Sequence, residues 1–155
     1  MAGKIDARLA ELGITLPVPG APVANYVAFV RSGNLVFLSG QLPLKDGKPS
    51  HLGKAGGERT AEEAQEAARN CAINLIAQLR VACDGDLDRV KRIVRLGGFV
   101  ASTPDFTDQP MVVNGASDLM VEVFGDAGRH CRTAVATPSL PMDVTVEVDA
   151  IAEIE

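Results

Sequence analysis

The sequence predicts an α+β domain, a mixed β-sheet with two helices covering one of its faces. Three observations carry this. Strand-like and helix-like segments interleave as β-β-α-β-α-β-β. Only two segments within that order have helical spacing, too few to cover both faces of a sheet. The chain has 155 residues, the usual size of one domain, and no repeat or linker divides it. The second sheet face is also apolar, and an uncovered apolar face invites oligomerisation.

The elements follow in order. Met1 to Leu12 reads as an amphipathic helix with Ile5, Leu9 and Leu12 on one side, stopped by Gly13. Residues 1–19 thus form a helical extension, since the run from Leu16 to Pro22 is too rich in proline for helix or central strand. Tyr26–Arg31 and Asn34–Leu38 read as a hairpin around Ser32-Gly33. Ser39-Gly40-Gln41 follows, and a glycine at a strand end marks a bend or a close approach to a ligand. Residues 43–58 lack periodicity and read as a long loop of the functional or partner-contacting kind. Thr60 and Glu63 form a capping box opening a helix that carries Ala64, Ala68, Cys71, Leu75, Leu79 and Ala82 at helical spacing. Asp84-Gly85-Asp86 closes it. Val90–Ala101 is a strand in which Gly97-Gly98 marks a bulge or a flat contact. A helix over Met111–Phe124 ends at Gly125, and strands are expected at Cys131–Thr137 and Thr145–Glu153.

Composition narrows the function. The net charge of −5 and the scattered basic residues disfavour nucleic acid, whose binders gather cations against phosphates. Arg89, Lys91, Arg92 and Arg95 do cluster, but at a strand entrance, where they read as a solvated edge. One Tyr, five Phe and no Trp leave few platforms for stacking bases. No apolar run is long enough to span a membrane, and the N-terminus lacks a signal peptide's apolar core. Three cysteines without a C-x-x-C spacing point to a reducing compartment, and a cytoplasmic location is expected. Two histidines cannot make a three-histidine zinc site, no other ligand spacing recommends a metal, and Gly53 to Gly57 lacks the spacing of a nucleotide loop, so neither metal nor cofactor is expected. Adjacent His130 and Cys131 would point to opposite sides of a strand and cannot act as a base and nucleophile pair.

Ala24-Asn25-Tyr26 and the run from Asn34 through Ser39-Gly40-Gln41 to Pro43 resemble the opening hairpin of the Rid (YjgF-like) family, some members of which carry the name L-PSP endoribonuclease. Val90–Ala101, Pro104-Asp105-Phe106 and Asn114 resemble its middle segment. The stretch from Arg132 to Pro141 and the ending Val146-Glu147-Val148-Asp149-Ala150-Ile151 resemble its C-terminal signature. The likeness covers about residues 20–153; the N-terminal helix and the 43–58 loop look like features of a longer subgroup. It implies a chorismate-mutase-like fold, a homotrimer, and a small carboxylate or imine metabolite held in a cleft between subunits. It further implies deamination of 2-aminoacrylate-type enamines and imines.

The resemblance also assigns roles. Arg132 matches the arginine that grips the substrate carboxylate, a role suited to a planar, always charged guanidinium. The alternative is a structural pair with Asp149 or Glu147 on a neighbouring strand. Asp149 matches the family's water-positioning glutamate, one methylene shorter; Glu147, two residues earlier and so on the same strand face, is the substitute. Tyr26, Ser39, Gly40 and Asn114 match positions lining the cleft, against bland readings as packing, turn and helix-surface residues. Three readings follow: an imine deaminase, a non-catalytic binder of small carboxylates, and an RNA-cleaving protein, which the charge disfavours.

Overall fold

A computed structural model describes residues 3–155; Met1 and Ala2, placed above in the first helix, lie outside the described residues. Helix α1 spans Lys4–Glu11 and ends at Gly13, whose φ of +69° suits glycine. Its first turn is capped from far along the chain, because the Asp88 carboxylate accepts from the Lys4 and Ile5 amides at 2.9 Å each.

Strand β1 covers Phe29–Ser32 and β2 covers Leu35–Gln41. The hairpin is as expected, but β1 starts later, and Tyr26 to Ala28 lie outside it. The loop of residues 43–58 holds a small hairpin, β3 (Leu44–Lys45) and β4 (Lys48–Pro49). Its signal was Asp46-Gly47, whose φ values of +54° and +77° are those a tight two-residue turn needs. Helix α2 spans Ala61–Ala82, and both capping-box bonds of Thr60 and Glu63 form. Strand β5 is Val90–Ala101, helix α3 Gln109–Phe124, strand β6 Cys131–Thr137 and strand β7 Val146–Ile154.

The sheet order is β1-β2-β7-β5-β6, antiparallel except for the parallel β5–β6 pair. Helices α2 and α3 cross one face, and α1 is a third helix resting on α3 rather than on the sheet. The core lies between helices and sheet, filled by small and aliphatic side chains such as Ala67, Ala68, Leu75, Ile76, Leu119 and Val148. Close approach depends on glycine twice. A Cβ on Gly115 of α3 would sit 2.0 Å from the Gln65 carbonyl of α2, and one on Gly98 of β5 would sit 2.6 Å from Val113. Gly97-Gly98 is therefore a flat contact and not a bulge; the register shifts of β5 fall earlier, between Val90 and Arg95.

Alternation divides β7 cleanly. Val146, Val148, Ala150, Ala152 and Ile154 are buried under the helices, while Glu147, Asp149, Ile151 and Glu153 face the other way. On that open face Val30, Phe37, Phe99 and Val135 remain 37–55% exposed. Their exposure makes the uncovered apolar face that the element count predicts.

Candidate active site

The residues singled out in the sequence fall into two groups on opposite faces of the sheet. Glu147 stands on the open face, paired across the ladder with Phe99. Gly40 lies directly beneath its carboxylate: a Cβ there would sit 2.9 Å from Glu147 Oε2. A side chain at position 40 would displace the Glu147 carboxylate from this place, so glycine lets the carboxylate lie against the backbone of β2. Ser39 is next to it in the irregular stretch where β2 loses register with β7. Its hydroxyl donates to the Val27 carbonyl at 2.7 Å, so its proton is committed to pinning the segment that carries Tyr26. Tyr26 is 58% exposed in the single chain.

Asp149 shares this face but has a different environment. Gly97 opposes it in the ladder, and a Cβ there would sit 2.6 Å from Asp149 Oδ1. Arg95 lies 3.9 Å from the same oxygen and donates to Thr133 Oγ1 at 2.8 Å. Arg95 is thus no member of a solvated edge cluster. The parity of Arg95, Gly97 and Phe99 along β5 was the signal that places it. Among the described residues no cation pairs with Glu147.

Burial raises the Glu147 carboxyl above the ordinary carboxylate range, and the charge of Asp149 raises it further. Burial also raises Asp149, partly offset by Arg95 and by the Gly97 amide. Of the two, Glu147 is the unpaired group with an elevated pKa, the environment that suits proton transfer.

Arg132 lies on the helix side of β6, opposite Leu96 of β5. The structural pairing with Asp149 or Glu147 fails for a topological reason: β5 stands between β6 and β7. Its guanidinium donates instead to the Pro110 carbonyl and to Ser117 Oγ, both at 3.1 Å. Pro110, Asn114 and Ser117 lie along one stripe of α3, so Asn114 belongs to this half. Ser117 was missed by the sequence reading, as was the use of His130. His130 Nδ1 lies 2.7 Å from the Gly128 carbonyl, which can only accept, so this nitrogen carries the proton. Nε2 then accepts from the Ser117 hydroxyl at 2.8 Å, leaving the Ser117 oxygen free to accept from Arg132. Ser117→Ala should release this orientation and cost about 1 kcal/mol for one lost hydrogen bond, read as a lower melting temperature. An unchanged melting temperature would show that Ser117 does not hold the guanidinium.

Within one protomer the sheet separates the Arg132 half from the Glu147 half. Among the described residues no three His, Cys, Asp or Glu side chains gather as metal ligands would, and no helix is long and apolar enough to cross a membrane.

Comparison with known proteins gives the following. The family model described as "YjgF/chorismate mutase-like, putative endoribonuclease" matches residues 6–154. Protein TCP17 of Trypanosoma cruzi is 49% identical over 154 residues, 99% of this chain and 96% of that one. The crystal structure of Atu1372 from Agrobacterium tumefaciens, a protein of unknown function, superposes with a TM-score of 0.92 at 50% identity, covering 97% of this chain and 92% of that one. A 2-iminobutanoate/2-iminopropanoate deaminase of Dermatophagoides farinae is 25% identical over 142 residues, 92% of this chain and 95% of that one.

Proposed function

The chain belongs to the YjgF/chorismate mutase-like family, and from that premise we propose that it hydrolyses small imines and enamines carrying a carboxylate, in clefts built by two copies of the chain. The observation that carries the reading is the unpaired, half-buried Glu147 beside Gly40, on a sheet face that exposes Phe37, Phe99 and Val135. A second copy covering that face would bury the apolar row, and a shared cleft takes its Arg132 from the other copy because the sheet separates Arg132 from Glu147 within one protomer. The mite deaminase supports the reaction class.

The chemistry follows from the residues. Arg132 of one copy takes the substrate carboxylate in a bidentate grip, with Asn114 beside it. Glu147 of the other copy orients a water against the C=N carbon and takes its proton as the C–O bond forms. That proton passes to nitrogen to give a carbinolamine; Glu147 then moves the carbinolamine's hydroxyl proton to the same nitrogen as C=O forms and the C–N bond breaks, and ammonia and a 2-keto acid leave. Water is the only co-reactant. Asp149, already engaged by Arg95, holds that arginine in place on the open face and does not serve as the base.

Freshly generated 2-iminopropanoate should lose ammonia faster with the protein than without it. Binding of pyruvate without acceleration would leave a carboxylate binder. The assembly should be a homotrimer, read by native mass spectrometry as three chains of 16.3 kDa each. A monomer at micromolar concentration would remove the two-copy cleft.

A further inference from the structure

A second constellation, unrelated to the imine site, lies where the 43–58 loop meets α2. Ser50 and His51 are consecutive on the loop, and their side chains bond to each other, Ser50 Oγ to His51 Nδ1 at 2.7 Å. Glu66 and Asn70 stand four residues apart on α2, hence on one face of a 22-residue helix, and flank this pair on either side. Asn70 Nδ2 donates to Ser50 Oγ at 2.9 Å, and His51 Nε2 lies 3.3 Å from Glu66 Oε2. The donor inventory sets the direction of the chain. The Glu66 carboxylate can only accept, so Nε2 carries the proton of the neutral ring, and Nδ1 then accepts from the Ser50 hydroxyl, whose oxygen receives the Asn70 amide. The order is hydroxyl, imidazole, carboxylate, that of nucleophilic hydrolases with the ring nitrogens exchanged.

The surroundings suit a reacting group. The His51 side chain is only 12% exposed. The Ser50 amide is held by the Pro43 carbonyl at 2.8 Å, and the His51 carbonyl by the Thr145 amide at 3.3 Å, so both backbones are fixed. The group opens into a cavity of about 510 Å³ that Lys45, Lys48 and Arg69 also line. Arg69 pairs with Glu122, but among the described residues Lys45 and Lys48, on either side of the Asp46-Gly47 turn, have no carboxylate partner.

We propose that Ser50, His51 and Glu66 form a second, esterase-type site, with Ser50 as nucleophile, for small esters or thioesters whose acyl group bears an anion. Ser50 Oγ attacks the acyl carbon while its proton moves to His51 Nδ1, and Glu66 steadies the imidazolium through Nε2. The same Nδ1 proton goes to the departing alcohol or thiol as its bond to the acyl carbon breaks. Water, deprotonated by Nδ1, then cleaves the acyl-serine, and a carboxylic acid leaves with Ser50 restored. Lys45 and Lys48 attract the substrate's anion.

The test is covalent capture on the intact protein. A fluorophosphonate should phosphonylate Ser50, read by intact mass and peptide mapping, and Ser50→Ala should remain unlabelled. His51→Gln should slow capture about a hundredfold, the scale of a lost general base. Asn70→Asp is the discriminating variant. Its carboxylate accepts the Ser50 proton and reverses the chain, so capture should fall about a hundredfold or more, as a wrong tautomer does. A melting temperature near that of the parent shows that the fold persists. Mono-4-nitrophenyl succinate should be hydrolysed at least about tenfold faster in kcat/KM than 4-nitrophenyl acetate, about 1.4 kcal/mol. Absence of a Ser50 adduct, or capture unaffected by both His51→Gln and Asn70→Asp, overturns the site. Equal turnover of the two esters overturns the anion preference.

Discussion

Arg132→Ala and Glu147→Gln proteins, each nearly inactive alone, should recover about a quarter of wild-type imine hydrolysis when unfolded and reassembled together. The reasoning rests on the sheet between the two residues. Arg132 lies with Leu96 on the helix face, and Glu147 lies with Phe99 on the open face. If each cleft takes its arginine from one copy and its glutamate from another, random mixing gives about one cleft in four with both groups intact. The others carry at least one defect and should retain about 1% or less, the usual cost of removing a general acid–base group. The assay is ammonia release from freshly generated 2-iminopropanoate, with mixed oligomers confirmed by native mass spectrometry. Background activity in confirmed mixed oligomers would mean that the two residues do not share a cleft.

Glu147→Gln alone should lower the rate about a hundredfold, leave carboxylate affinity little changed, and raise the melting temperature at pH 7.5. The amide can hold a water but accepts no proton, so the loss falls on turnover and not on binding. The stability gain has a definite sign. Burial and Asp149 hold the folded-state carboxyl above its usual range, so the folded chain binds more protons than the unfolded one and ionisation opposes folding. The favourable contribution is fully present below about pH 4, near the unfolded carboxylate value, and is lost as pH rises through the folded pKa. The variant's advantage should therefore vanish on acidification towards pH 4. Asp149→Asn is the contrast, because Arg95 already engages that carboxylate: it should retain turnover within about threefold, a loss of less than 1 kcal/mol. A hundredfold loss at Asp149 with none at Glu147 would reverse the assignment of the base.

The sequence by itself determined the elements and the parity of their residues. Thr60 and Glu63 announced α2 because a capping box is a local bond pair, and all of its information lies within four residues. The alternation of β7 placed Glu147 and Asp149 on one face for the same reason, a two-residue period. The apolar open face followed from counting helices. The Asp46-Gly47 hairpin was also legible, and only its short strands hid it. Tertiary structure decided what stands beside each side chain. Nothing near Asp149 in the chain says that Arg95, 54 positions earlier, will lie next to its carboxylate, nor that Gly40 will lie under Glu147. Those neighbours come from strand order, in which β7 enters between β2 and β5. They separate two carboxylates that share a strand face into an ion-paired one and a free one. The same long-range packing hands Arg132 to Ser117 and His51 to Glu66. Parity is set by the covalent backbone, whereas proximity across the sheet is set by which strands and helices pack together.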